Sequence, residues 1–257
     1  MKKILILIVT ICTVAMFSAC GGSGSQSDDQ AQAGDETQAE QTEEETQMDT
    51  KNATLLYMGH GSIRITTAED KVIYIDPFVG DDEWYAPAAD LILSTHDHYD
   101  HVAFDKIENR NDDCQITTQK EALADGVHQS FDFDYAKVDA VEAGYNKNHN
   151  VSECVGYIIT LSDGVTVYVS GDTSLTEQMP SLADWNLDYA FFCCDGIYNM
   201  DTTEASKCAA LVKAKHSIPY HMTAANSGVF FDRTVAERFE ASGRIILEEG
   251  EELELAK

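Results

Sequence analysis

The sequence predicts an α/β (α+β) fold, a four-layer αββα sandwich in which two sheets pack face to face with helices outside. Short apolar runs dominate the opening of the folded region, and helix-period patterns appear later, alternating with further strand candidates. No internal repeat or second linker interrupts residues 51–257, so one domain is the economical reading.

Taken in order, the runs at 53–58, 62–66, 71–75 and 91–95 are punctuated by Gly, Asp and Pro, as strands are. The runs at 157–161 and 165–170 flank Ser162-Asp163-Gly164, which predicts a hairpin. Helical spacing covers about 102–108, 203–214 and 233–242. Thr202-Thr203-Glu204 is placed to cap the second of these, and Gly243 sits where the third should stop.

The N-terminal fifty residues read differently. Lys2 and Lys3 precede an apolar run over 4–17, followed by Ser18-Ala19-Cys20. That run falls short of the roughly 20 residues that cross a bilayer, so cleavage is expected. Residues 1–20 resemble a bacterial lipoprotein signal. The resemblance implies that Cys20 becomes the lipid-carrying first residue and that the protein is extracytoplasmic, anchored to the cell membrane. Residues 21–50 carry nine acidic residues, no basic ones and almost nothing large and apolar, and are expected to be a disordered acidic tether.

The chain has a formal net charge of −28. With nine of its 45 acidic residues in the tether and two of its 17 basic ones in the leader, the domain keeps 36 against 15. This argues against nucleic acid as a partner, because phosphates are neutralised by clustered Lys and Arg, and no cluster occurs. Solubility in an extracytoplasmic setting accounts for most of the acidity. Of the seven cysteines, Cys114, Cys154, Cys193, Cys194 and Cys208 fall in the domain without CxxC spacing and read as small buried residues.

Function concentrates in His96-Asp97-His98-Tyr99-Asp100-His101, at the point where an apolar strand breaks into a loop. Imidazole and carboxylate are donors for zinc, manganese or iron. Residues two apart in an extended segment point the same way, so His96 and His98 can converge on one ion. Asp100 and His101, past the bend, can reach a second. Three more segments carry ligand-type residues beside predicted strand ends: Asn148-His149-Asn150, Gly171-Asp172-Thr173 and Pro219-Tyr220-His221-Met222.

The run from Thr95 to His101 resembles the HxHxDH signature of the metallo-β-lactamase superfamily. Gly59-His60-Gly61-Ser62, Ile75-Asp76-Pro77-Phe78, Gly171-Asp172-Thr173, Asp195-Gly196-Ile197-Tyr198-Asn199-Met200 and Ile218-Pro219-Tyr220-His221 extend the likeness over about residues 53–247. They resemble the branch of ascorbate-phosphate lactonase-like proteins and other metal-dependent hydrolases. The resemblance implies the metallo-β-lactamase fold and two divalent metal ions, with zinc leading and manganese or iron as alternatives. It implies His96, His98 and His149 at one metal, Asp100, His101 and His221 at the other, and Asp172 bridging. For the third histidine, His128 competes with His149, which follows Gly144-Tyr145-Asn146.

The implied activity is hydrolysis of a small-molecule substrate by a metal-bridging hydroxide, with lactone or ester preferred and no side-chain nucleophile required. Asp100 or the bridging hydroxide is expected to manage protons, and His60 either to bind substrate or protonate the leaving group or to be a satisfied structural histidine. Asp76 is expected to orient a ligand histidine. Tyr198, Asn199 and Met200 are candidate pocket residues, and His216 reads as structural. The alternatives are a phosphodiesterase of the same fold and a non-catalytic metal- or solute-binding surface lipoprotein.

Overall fold

The computed structural model describes residues 51–257. The predicted signal segment with Cys20 and the predicted tether lie outside the described residues. Strands β1 (Thr54–Gly59), β2 (Ser62–Thr66), β3 (Val72–Ile75), β4 (Ala89–Leu93) and β5 (Arg110–Thr117) lie side by side in one sheet. Strands β6 (Ser130–Phe133), β7 (Ala136–Glu142), β8 (Val155–Leu161), β9 (Thr166–Val169), β10 (Tyr189–Cys193) and β11 (His216–Tyr220) make the second, again in chain order. The last strand, β12 (Glu251–Glu254), returns to the first sheet and pairs antiparallel with β1. Both sheets are mixed: β3, β4 and β5 run parallel, as do β9, β10 and β11.

Both faces of β1, β3 and β4 are covered, which is why these strands read as mostly apolar runs, whereas β2 alternates and the edge strands β5 and β12 are polar and largely exposed. Leu55, Tyr57, Ile73, Ile75, Leu91 and Leu93 join the main core together with residues of the second sheet such as Val138, Tyr157, Ile159 and Val167. Leu56, Met58, Tyr74 and Ile92 face the other way and are closed over by Trp84, Tyr85, Phe104 and Ile107. A one-residue slip would exchange the two sets, so packing on both sides holds the register. The hairpin at Ser162-Asp163-Gly164 joins β8 to β9 as predicted.

Of the three helices that spacing predicts, the second forms close to its expected span, the third is shorter and the first is replaced by a 3-10 turn, while a short helix forms at 119–122 that spacing does not predict. The helices are α1 (Gln119–Ala122), α2 (Thr202–Val212) and α3 (Arg233–Arg238). The pattern at 102–108 yields only a 3-10 turn, Phe104–Lys106, because Arg110 donates to the carbonyls of Phe104 and Ile107 that a continuing helix would use. Likewise α3 stops well before Gly243: Phe239 turns extended to bury its ring in the core, and Arg244 donates to the carbonyls of Glu237 and Phe239. The cap of α2 is Asp201, whose carboxylate accepts from the amide of Glu204, and not the threonines after it. Helix α2 packs on β10 and forms an outer layer, while the far face of the first sheet is covered mainly by 3-10 turns. The sandwich is therefore αββα with one thin outer layer. The five cysteines among the described residues form no disulfide, and four are buried.

The carboxyl ends of β3, β4, β9, β10 and β11 come together at one edge, the usual place for a site in sheets with parallel strands. Hydrogen bonds stitch that edge: Asp76 N donates to Leu93 O at 3.0 Å, Ser170 N to Phe191 O at 3.1 Å and Cys194 N to His221 O at 3.3 Å. Others join the sheets, with Val155 N donating to Thr95 O and His221 N to His60 O, each at 2.9 Å. Gly171, at φ +61, brings the chain so close to β8 that a Cβ there would lie 2.7 Å from Val155 O, and Asp172 leaves the sheet from this point.

Candidate metal centre

His60, Asp76 and His221 each end or follow a strand with positive φ, at 51°, 47° and 46°. Non-glycine residues adopt this region at a cost that the surrounding packing must hold in place, and such residues cluster at functional sites. Around them stand two groups of donors. His98 Nδ1 lies 3.0 Å from His96 Nε2 and 3.2 Å from His149 Nε2. Asp100 Oδ2 lies 3.9 Å from Nε2 of both His101 and His221. Asp172 stands between the groups, with Oδ2 3.3 Å from His149 Nε2 and Oδ1 3.5 Å from His101 Nε2 and 3.4 Å from His221 Nε2. All seven sequence-predicted ligands thus meet at one place.

The supporting bonds select the donor atoms. Asn146 Oδ1 accepts the amides of Asn148 and His149, which fixes it as the oxygen, and the 3.3 Å contact with His149 Nδ1 makes that nitrogen the donor. Nε2 of His149 therefore keeps its lone pair toward the cluster. Thr95 Oγ1 donates to Asp76 Oδ2 at 2.8 Å and so accepts from His96 Nδ1 at 3.1 Å. Asp76 Oδ2 also lies 3.0 Å from His101 Nδ1. One fully buried carboxylate thereby sets the protonation of a histidine in each group, as carboxylate–histidine–metal arrangements do.

Three buried atoms that face one another, Nε2 of His101, Nε2 of His221 and Oδ1 of Asp172, have no hydrogen-bond partner among the protein atoms. Buried polar atoms rarely go unpaired, and a cation ligated by all three accounts for them. The charges point the same way. Burial alone lowers the pKa of His101, but Asp172, Asp76 and Asp100 together raise it to about 9. Burial opposes ionisation of Asp172, yet His221, His101, His96 and His149 hold its carboxyl well below the usual carboxylate range. The site asks for positive charge, which protons supply on His101 and metal ions can supply better. A cavity of about 310 Å³ opens over the cluster, with His98, Asp100, His149, Asp172 and His221 below and Tyr99, Asn148, Tyr198, Ala225 and Asn226 around it.

Residues 54–221 match the beta-lactamase superfamily domain. A UPF0173 metal-dependent hydrolase of Thermococcus kodakarensis is 30% identical over 225 residues, 77% of this chain and 98% of that protein. The chain belongs to the UPF0173 metal-dependent hydrolases of the beta-lactamase superfamily. Another UPF0173 hydrolase, from Pyrococcus furiosus, is 28% identical over 77% of this chain and 98% of its own length. A crystal structure from Parabacteroides distasonis has a TM-score of 0.61 at 27% identity, covering 76% of this chain and 91% of that one. A metallo hydrolase from Ignicoccus hospitalis shares the fold at a TM-score of 0.61 and 21% identity, covering 79% of this chain and 98% of that one.

In this UPF0173 hydrolase, His128 stands apart from the donors and lines a separate hollow with Glu142 and Tyr145. His216 stacks on Tyr189 at 5.2 Å. His60 is fully buried, donates from Nε2 to Asp100 Oδ2 at 3.0 Å, packs on the His221 ring at 3.7 Å and does not line the cavity. Burial and the nearby His221 lower its pKa to about 4, so its ring is neutral at neutral pH. It also belongs to a group with Asp100, His101 and His221 close enough to share an ion. Met200 is core, and Tyr198 lines the cavity. Asn199 does neither: its Nδ2 donates to Asp172 Oδ2 and Asp195 Oδ2, each at 2.8 Å. Asp195 Oδ1 in turn accepts the amides of Ile197 and Tyr198 and, at 3.4 Å, that of Asn199. The Asp-Gly pair after a buried strand is the signal for such a turn, but the grip of Asn199 on Asp172 is a tertiary contact with no sequence pattern.

His98→Ala and Asp172→Asn are each expected to lose bound metal and activity while keeping native circular dichroism, with elemental analysis as the check. The same comparison of His149→Ala with His128→Ala should cost metal only in the first. Normal metal content in His98→Ala and Asp172→Asn would contradict the ligand assignment. Because a proton on His101 competes with metal up to about pH 9, apparent metal affinity should rise by about tenfold per pH unit below that value for each proton displaced. Titration with a fluorescent chelator between neutral pH and pH 9 measures it, and a flat profile would contradict it.

Proposed function

We propose that the chain is a dinuclear hydrolase that attacks a small lactone or ester with water. The observation that carries this reading is the position of Asp172, whose two oxygens face different donor groups. His96, His98 and His149 would hold one ion, Asp100, His101 and His221 the other, and Asp172 would link them. These nitrogen and oxygen donors suit zinc first, then manganese or iron. Bound there, the ions would supply Lewis acidity, lowering the pKa of water toward about 7 and offsetting charge that develops on the substrate oxygen.

The chain's own residues do the rest. Among the described residues no Ser, Cys, Thr or Lys lines the cavity, which supports water as the nucleophile over a hydroxyl, thiol or amine. Burial would raise the Asp100 pKa, but His60, His101 and His221 hold it below the ordinary carboxylate range. Its carboxylate is thus an acceptor that would help hold an ion and can orient the attacking water, rather than a proton donor. His60 acts through Asp100 as a positioning residue: its Nε2–H fixes the carboxylate, and its burial keeps it from the leaving group.

We also propose export, with lipidated Cys20 anchoring the domain to the cell membrane through residues 21–50. The basic pair, the apolar run and the small residues before Cys20 support this reading.

The metal-loaded enzyme is expected to turn over generic lactones and aryl esters faster than a bis-aryl phosphate, as steady-state assays on one panel would read. Turnover of the phosphate alone would replace the carbonyl reading with a phosphodiesterase. Loss of turnover across the panel with two metals retained would favour a binding protein. Cys20→Ser should move the protein from the membrane fraction to the soluble one and abolish fatty-acid labelling, and an unchanged distribution would contradict the anchor.

A further inference from the structure

We propose that the cavity over the metal centre admits uncharged or cationic substrates and discriminates against anionic ones, phosphorylated and carboxylated alike. This rests on the hydrolase reading above and names the substrate class for it.

Three observations carry the proposal. Around the cluster the cavity wall is made by Tyr99, Asn148, Tyr198, Ala225 and Asn226, and no Lys or Arg lines it. Sites that recognise a remote phosphate or carboxylate hold it with charge-assisted bonds from Arg or Lys. Lys147 follows Asn146 in the same loop, but it is exposed and lines the adjoining hollow beside Glu153.

The wall also favours the opposite kind of group. Tyr99 and Tyr198 are 63% and 43% exposed, large aromatic surface left open at the cavity. Tyr99 is backed edge-on by Phe78 at 5.6 Å, and Phe78 by Phe230 at 5.8 Å, which holds its ring without covering it. Open tyrosine faces bind apolar groups and cations, the latter through the ring quadrupole. Asn148 spends one Nδ2 hydrogen on Tyr198 O at 2.9 Å and keeps its Oδ1 as an acceptor, which suits an N–H or an ammonium.

The third observation is the field of the whole domain. Residues 51–257 carry 36 acidic against 15 basic residues. An anion approaching the cavity crosses a repulsive potential, and a cation is drawn in. The reacting carbonyl is the same in substrates that differ only in a remote substituent, so the wall and the field decide between them. A volume of about 310 Å³ sets the size at a small molecule.

The test uses the metal-loaded protein and three matched acetate esters: that of choline, its neutral tert-butyl isostere and its sulfonate counterpart. The expected kcat/KM of the first two exceeds that of the sulfonate by at least about tenfold, and the gap narrows as salt screens the field. In Asn226→Lys the sulfonate should gain on the neutral ester. A sulfonate hydrolysed as well as the neutral ester overturns the proposal. Calorimetric binding of the three matched ethers, which cannot be hydrolysed, decides the matter independently of turnover. If no ester is cleaved but the choline and tert-butyl ethers bind more tightly than the sulfonate, the charge selection stands and the esterase reading falls. Equal binding of the three, or no binding of any, overturns the proposal.

Discussion

The buried carboxylate of Asp76 is the constraint on which the site depends. It sits just past the end of β3 with positive φ, fully buried, and its oxygens take the backbone amide and the hydroxyl of Thr95 at 2.7 and 2.8 Å. Through Thr95 it sets the proton of His96, and by its contact with His101 it sets that of a histidine in the other group. A histidine can ligate from Nε2 only if its proton sits on Nδ1, so this residue, which does not line the cavity, leaves Nε2 of both histidines free to meet a cation. Its burial is compatible with charge only because it is satisfied on both oxygens.

The rest of the site follows from the same economy. His96, His98, Asp100 and His101 follow β4, Asp172 follows β9 and His221 follows β11, so the ends of strands of both sheets hold six of the donors, and His149 comes from the loop between β7 and β8. Asn199 repeats on the other side what Asp76 does beneath His96 and His101, gripping Asp172 and Asp195 with one amide group. His96, His101, His149, Asp100 and Asp172 are held by Thr95, Asp76, Asn146, His60 and Asn199, none of which lines the cavity. The result is a fixed, electron-rich floor beneath walls made of tyrosine and asparagine.

Much of this was legible in the chain. The strands β1, β3 and β4 and the hairpin of β8 and β9 are readable as mostly apolar runs between turn residues because they are largely buried, and β2 as an alternation. The donor cluster was readable because six residues in a row concentrate it, and because Asp172 and His221 follow buried strands. Helix α2 falls close to its predicted span, but the other two predicted helices were not readable in length. Arg110 and Arg244 end the patterns at 102–108 and 233–242 by taking main-chain carbonyls, a side-chain event that periodicity does not register. The role of His60 was hidden for a similar reason: Gly-His-Gly reads as an open turn, and only packing against His221 and Asp100 buries it. Asn199 and Asn146 act across the fold, where spacing along the chain carries no information.

Anomalous diffraction from crystals of the metal-loaded protein tests the central claim most directly. Two peaks are expected, one against His96, His98 and His149 and the other against Asp100, His101 and His221, with the Asp172 carboxylate between them. A single peak, or a second ion held by His60 in place of Asp172, would contradict the dinuclear account.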